Sequence, residues 1–175
     1  MKTFLRLLWL FLATVIALGA SPARADSEIQ FPAFRMRWAD GFVPMPNARG
    51  SAQPMFVNEQ RGEALGVTVS IPPKDWSREQ VLAQHQRWID GVSQKMSQSN
   101  GAFQPVGTVR RENLASGDVL LSALAESKAG EPTFVLQFLL ISPSASAAAF
   151  ILGGPGSSAG QYERFRPYFE SAVWQ

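Results

Sequence analysis

The sequence predicts an α+β fold in which an antiparallel β-sheet lies between helices. Three features indicate it. Strand-like runs occur between Phe34 and Leu152, a long amphipathic helix pattern separates the early runs from the later ones, and a second helical pattern ends the chain. The links between strands are short and rich in turn residues, which favours antiparallel pairing, and only two helices are available to cover the sheet. Residues 26 to 175 have the length of one domain with its own core.

Residues 1–25 are expected to be a secretory signal peptide. Lys2 and Arg6 give a positive start, an apolar run extends from Leu7 to Ala20, and Ala23-Arg24-Ala25 forms an A-x-A cleavage site. The apolar run is shorter than the about 20 residues that a membrane-spanning helix requires. We therefore expect cleavage after Ala25 and a periplasmic or secreted protein with no membrane span.

The charge and the cysteine content of the remaining chain exclude several functions. The full chain has a formal net charge of +2, but without Lys2, Arg6 and Arg24 it has 13 basic and 14 acidic residues. A nucleic-acid-binding protein would need a basic face, so no nucleic acid is expected as a partner. The absence of cysteine excludes disulfides, thiolate chemistry and a lipid-attachment cysteine.

The N-terminal part, residues 26–54, is rich in proline and is predicted to be irregular except for one strand at residues 34–38. In that strand Phe34, Met36 and Trp38 alternate with two arginines, which is typical of a half-buried strand. We expect Arg35 and Arg37 to face solvent, with a basic pair that faces a ligand as the alternative. A hairpin around residues 61–63 follows and ends at Pro72-Pro73, because proline cannot donate to a β-ladder.

The strongest helix prediction starts at Ser77. Ser77 and Gln80 form a capping box, and Asp75 and Glu79 lie near the positive end of the helix dipole. Apolar residues then recur at helical spacing and define the expected buried face: Val81, Leu82, Trp88, Ile89, Val92 and Met96.

The rest of the chain is predicted to form further strands and a final helix. Strands are expected in residues 103–113, 118–127, 133–142 and 145–152, and the last three are apolar at odd and even positions, as in a sheet covered on both faces. We expect the last helix to start with Ser157 or Ser158 as its cap and to kink or restart at Pro167.

This order of elements, from the aromatic strand at 34–38 to the C-terminal "YERFRPYFESAVW", resembles the PsbP-like superfamily, which includes the DcrB-like periplasmic proteins. The resemblance covers most of residues 31–174. It implies an α/β/α sandwich that serves as an accessory, adaptor or assembly module and is seldom an enzyme. It implies no catalytic residues.

One motif suggests an enzyme. Gly156, Ser158 and Gly160 form a G-x-S-x-G string where a strand gives way to a helix, as at the nucleophile of serine hydrolases. Only 17 residues follow Ser158 and none is a histidine, and a serine hydroxyl needs a positioned base. The single histidine, His85, lies in the first helix pattern. We favour a packing role for it, with a hydrolase that combines Ser158 or Ser157 with His85 and Asp118 as the alternative.

The sequence gives little support for phosphate binding, metal binding or acid/base catalysis, and no cofactor is expected. Residues 154–159 fit a loose glycine-rich phosphate string, but no Gly-Lys-Ser/Thr occurs and the chain ends before a dinucleotide-binding unit would be complete. One histidine and scattered carboxylates give no metal-ligand spacing. Glu126 and Glu131 are interpreted as solvated charges at a turn with Lys128, and Arg110 and Arg111 are expected on opposite faces of a strand.

The favoured hypothesis is therefore an exported, non-enzymatic accessory protein that binds another protein of the envelope. A carrier of a small apolar ligand, held between sheet and helix, is a further alternative. Aromatic residues and methionines near proline-rich loops are typical of binding surfaces, although they also cover the edges of cores. The candidate binding residues are Trp38, Phe42, Met45, Met55 and Trp174.

Overall fold

A computed structural model describes residues 27–39, 41–45, 55–98, 103–127 and 130–175. The predicted signal segment, residues 46–54 of the proline-rich segment and Lys128 lie outside these ranges, as do the side chains of Val92 and Met96. None of the helices in the described ranges is long and apolar enough to cross a membrane.

The centre of the fold is an eight-stranded antiparallel sheet. Its strands are β3 (Val43–Met45), β4 (Met55–Asn58), β5 (Glu63–Ser70), β6 (Phe103–Pro105), β7 (Arg110–Asn113), β8 (Val119–Ser127), β9 (Thr133–Ile141) and β10 (Ala147–Pro155). Their spatial order is β3-β4-β5-β10-β9-β8-β6, and β7 also pairs with β8. The long strands at the centre come from the apolar runs, so the predicted antiparallel sheet is confirmed.

A second sheet of three strands lies against one face of the large one. It contains β1 (Ser27–Phe31), β2 (Phe34–Trp38) and β11 (Val173–Trp174), in the order β1-β2-β11. The prediction of a single strand in residues 26–54 was therefore wrong, since β1 and β3 also form there. The signal for β1 was local: Ile29 is buried between the exposed residues Glu28 and Gln30, which is the alternation of a half-buried strand.

The two faces of the large sheet hold separate cores. On the first face, even-numbered residues of β9 and β10 such as Phe138 and Phe150 pack against the small sheet and the C-terminal helical segment. On the second face, odd-numbered residues such as Leu139 and Ala147 pack beneath the long helix. Burial on both faces confirms the interpretation of these strands as covered on both sides.

The long helix, α1 (Arg78–Gln98), begins as predicted. The Ser77 hydroxyl accepts a hydrogen bond from the Gln80 backbone N–H at 3.3 Å, and the Gln80 side-chain oxygen accepts one from the Ser77 N–H at 2.7 Å. Val81 and Ile89 of α1 are fully buried. Trp88, by contrast, is 40% exposed and was wrongly placed within the buried face.

The C-terminal helical segment is shorter and more broken than predicted. Helix α2 (Gln161–Phe165) gives way to a 3-10 helix (Arg166–Ser171) with Pro167 in its first turn, which confirms the expected restart. Neither Ser157 nor Ser158 caps α2. Gly160 occupies the cap position with a left-handed φ of 76° and no side-chain hydrogen bond, a conformation that glycine adopts without strain.

Candidate functional site: the open face of the large sheet

Two of the five predicted binding residues, Trp38 and Phe42, are core residues. Both are almost fully buried, and the Trp38 ring stacks between Phe150 and Phe165 with centroid distances of 5.8 and 5.5 Å. Both were chosen as exposed aromatic residues, and their burial corrects that expectation; on β2 the solvent side is the one opposite Trp38. Arg35 and Arg37 are exposed there, as expected.

Trp174, the third predicted binding residue, anchors the C-terminal end of the chain to the rest of the fold. Its indole N–H donates to Asp118 Oδ1 at 3.1 Å, and its ring lies 4.7 Å from that of Phe34. The second oxygen of Asp118 accepts a hydrogen bond from the Ser116 hydroxyl at 2.8 Å. Trp174 and Asp118 thus join β11 to the start of β8.

The hydrolase alternative fails on geometry, because the large sheet separates its residues. The backbone N–H of Ser158 donates to Glu126 Oε2 at 3.1 Å, and Glu126 alternates with Ala125 so that it lies on the first face. His85 lies on the second face, where its Nδ1 is 2.8 Å from the carbonyl oxygen of Val81. The Ser158, His85 and Asp118 triad is not formed.

A cluster of charges holds the C-terminal segment onto the first face. Glu112 accepts hydrogen bonds from Arg166 Nε at 3.1 Å and from the Tyr162 hydroxyl at 2.8 Å. The guanidinium of Arg166 holds the pKa of Glu112 below its ordinary value, while burial and the hydrogen bond to Glu112 raise the pKa of Tyr162 to about 12. Arg110 contributes a 3.3 Å ion pair with Glu163. This cluster has partners within the fold and is structural.

The buried carboxylate of Glu63 also helps to hold the C-terminal segment on the first face. It pairs with Arg164, whose Nη2 lies 2.9 Å from Glu63 Oε2. Within the described ranges, no group of three or more histidine, aspartate or glutamate residues is arranged to hold a metal ion.

Among the described residues, only part of the width of the second face of the large sheet is covered. Helix α1 packs mainly on β6, β8 and β9 and reaches Ala147 of β10, and the rest of β10 continues beside it on the same face with β5, β4 and β3. Val43 is 46% exposed, Ile151 45% and Met55 37%. We call this surface the open face. The registers define it as Val43, Met45, Met55, Val57, Ala64, Gly66, Thr68, Ile151 and Gly153.

None of the nine residues of the open face is charged. Met45 and Met55, the two remaining predicted binding residues, lie directly opposite each other on it. Sequence reasoning missed Val43, Val57 and Ile151. The available signal was the alternation in β5, where the apolar Leu65 and Val67 face the core and the small residues Gly66 and Thr68 face the other way.

A groove follows the line where α1 meets the open face. Its cavity measures about 330 Å³. Helix α1 contributes Gln84, His85 and Trp88 to the wall, and the sheet contributes a floor that includes Gly66 and Ile151. The groove is lined by both apolar and polar side chains, the polar ones being Gln84 and His85 of α1 and Thr68 of β5.

The edge of the large sheet beside the open face is less suited to binding than the face itself. Its edge strand β3 contains only three residues and includes Pro44; at the opposite edge β6 is equally short and includes Pro105, and β7 has four residues. Short edge strands with proline resist the addition of another strand, because proline offers no N–H for a new ladder.

No family model matches this sequence, and no match was found among curated proteins. Solved structures are similar in fold. The cyanobacterial PsbP protein (CyanoP) of Synechocystis sp. PCC 6803 has a TM-score of 0.58 and 13% identity, covering 92% of this chain and 99% of that one. The Ran-binding protein Mog1p of Saccharomyces cerevisiae has a TM-score of 0.52 and 9% identity, covering 85% of this chain and 95% of that one. The PsbP-like fold is therefore confirmed.

Proposed function

We propose that this chain is an exported, non-enzymatic accessory protein that binds another protein of the bacterial envelope through its open face. The observation that carries the proposal is the open face itself, an uncharged apolar surface beside α1 with Ile151 and Met55 exposed. Exposed apolar patches of this kind mark interaction sites in soluble proteins.

Two further observations support the proposal. The separation of Ser158 from His85 by the sheet leaves the serine without the base that a hydrolase needs. The fold is shared with a protein described as Ran-binding and with a PsbP protein, which supports a binding role. The DcrB-like periplasmic relationship is our proposal from the element order alone.

Export rests on residues 1–25. We expect the protein recovered from the periplasm to begin at Asp26 with the first 25 residues removed, which N-terminal sequencing and intact mass would measure. A chain that retains Met1 and stays in the cytoplasm would contradict this part of the proposal.

The binding surface is tested by photocrosslinking in intact cells. A benzoylphenylalanine replaces Ile151 or Met55 on the open face, and the matched control replaces Val173, which is 43% exposed on the small sheet. We expect Ile151 and Met55 to crosslink the same envelope protein and Val173 to give at most a tenth of that yield. Equal yields at all three positions would contradict the proposal.

The groove also supports a second candidate function, transport of a small apolar ligand, since its cavity of about 330 Å³ has the size of small-molecule sites. Native mass spectrometry of protein purified from its own compartment would then show a defined added mass. An unmodified mass together with a protein crosslink at Ile151 would favour the protein-binding function.

A further inference from the structure

We infer that the open face receives a single apolar helix of the partner protein, which lies beside α1 and places a large side chain over Gly66. This inference rests on the proposed function and specifies the part of the partner that binds. The following observations carry it.

The width of the open face fits one helix. Four strands contribute to the second face beyond α1: β5, β4 and β3, together with the part of β10 around Ile151, since Ala147 of β10 packs beneath α1. Adjacent strands are about 4.8 Å apart, so the four span roughly 14 Å from first to last. A helix with its side chains is about 10 Å wide, and packed helices lie 8 to 10 Å apart. One helix parallel to α1 would complete the layer that α1 begins.

Gly66 is a glycine that the fold does not require. It lies within β5, where its φ is not positive, and a Cβ atom added to it would meet no atom within 4 Å. Glycine weakens a strand, and in a strand interior it often marks a place where another molecule approaches closely. Because Gly66 lies on the floor of the groove, we assign the unused space above it to a side chain of the partner.

The chemistry of the open face determines which side of the partner helix can contact it. The nine residues of the open face carry no charge, so an ion on the partner's stripe would be buried without a counter-ion, at a high free-energy cost. Gln84 and His85 stand on the α1 side of the groove and offer hydrogen bonds to one polar group at the edge of the stripe. The expected partner helix is apolar along one side.

The mode of binding follows from the edges. A partner segment that added a strand beside the open face would pair with β3, and Pro44 hinders pairing there. The remaining mode is a helix that lays its apolar side on the exposed side chains of the open face.

The test uses the full exported protein in cells with benzoylphenylalanine at Ile151, combined with Gly66→Val or the smaller change Gly66→Ala. Because a Cβ at Gly66 meets no atom and β-branched residues favour strands, both variants should unfold at the same urea concentration as the parent or a higher one. Filling the space should lower the crosslink yield at least tenfold for Gly66→Val and by a smaller factor for Gly66→Ala. The control Gln104→Val, an exposed position on β6, should leave the yield unchanged.

Mass spectrometry of the crosslinked peptides then identifies the secondary structure of the bound segment. Partner residues trapped from Met45, Met55 and Ile151 should recur at intervals of three or four, as on one side of a helix. Intervals of two, a crosslinked dimer of this chain, or an undiminished yield in both Gly66 variants would overturn the inference while leaving the open face as a binding surface. A failure to trap any protein from the open face would contradict the proposed function as well.

Discussion

Gly154 and Gly66 are both strand glycines, and the fold itself requires only one of them. A Cβ atom at Gly154 would lie 2.7 Å from Cγ of Glu63, which is buried and held in place by Arg164. A Cβ atom at Gly66 would contact nothing within 4 Å. The same residue type therefore serves close packing inside the protein at one position and leaves space at its surface at the other.

This difference predicts opposite effects of the same substitution. Gly154→Ala should lower the free energy of unfolding by about 1 to 3 kcal/mol, because Glu63 must shift to make room. Gly66→Ala should leave it unchanged or raise it by up to about 1 kcal/mol, since alanine restricts the unfolded chain more than glycine does. Urea unfolding of the two variants measures both effects, and equal destabilisation would contradict the interpretation.

Glu112 gives the fold a dependence on pH. Its pKa lies below the ordinary value of 4.5 because Arg166 donates a hydrogen bond to the carboxylate. A carboxylate with a lowered folded pKa stabilises the fold fully above its unfolded pKa, and this contribution is lost as the pH falls through the folded pKa. Acid should therefore weaken the attachment of the C-terminal segment.

We expect Glu112→Gln to cost about 1 kcal/mol of unfolding free energy near pH 7, a figure discounted because the side chain is a third exposed. The difference between the variant and the parent should shrink as the pH falls below about 4.5. Urea unfolding at pH 7 and pH 3 measures it. A cost that is the same at both values would show that the carboxylate charge is not the cause.

Among the elements, α1 is the one whose start is fixed by local sequence. Ser77 and Gln80 satisfy each other's backbone N–H groups, so the capping box needs no long-range contact. The C-terminal segment is the opposite case. There the local pattern suggested one kinked helix, but Pro167 and the pairing of Val173 with Arg35 divide it into α2, a 3-10 helix and β11.

The cap of α1 is open to a direct test. Ser77→Ala should lower the unfolding free energy by about 1 kcal/mol, because the backbone N–H of Gln80 loses its acceptor. Arg87→Ala, at an exposed position in the middle of α1, is the control and should change it by less than about 0.5 kcal/mol. Chemical denaturation of both variants measures the difference, and a cost at Ser77 no larger than that at Arg87 would contradict the capping role.

On the scale of the whole molecule, the two faces of the large sheet are covered unequally. The small sheet and the C-terminal segment bury the first face around Trp38, Phe150 and Phe165. Within the part of the chain that the structure describes, helix α1 covers only part of the second face. Of the predicted binding residues, Met45 and Met55 lie on the open face, whereas Trp38 and Phe42 lie in the core of the first face.

This assignment predicts contrasting effects on stability. Trp38→Ala should lower the free energy of unfolding by about 3 to 5 kcal/mol, because it leaves a cavity between the two sheets. Met55→Ala on the open face should cost less than about 1 kcal/mol. Thermal or urea unfolding of both proteins measures the contrast, and a small cost at Trp38 would contradict its placement in the core.

Much of the fold was predictable from the sequence because its signals are local. The alternation of Phe34, Met36 and Trp38 located β2, the continuous apolar run around Phe138 indicated a strand covered on both faces, and Ser77 marked the start of α1. Which of the candidate binding residues are exposed and which are buried was not predictable in this way. A period of two shows that Trp38 and Arg37 face opposite sides, but it does not show which side another layer will cover.

From its sequence alone this protein could be assigned its long central strands, the start of its long helix, antiparallel pairing and the α+β class, because hydrophobic periodicity and turn residues act over a few positions. The tertiary structure alone decided that His85 and Ser158 are on opposite faces, that Trp38 is in the core and that Met55 is on an open surface. The physical reason is that these outcomes depend on where α1 and the small sheet lie across the strands. That placement is set by the strand order β3-β4-β5-β10-β9-β8-β6, which joins residues far apart in the chain.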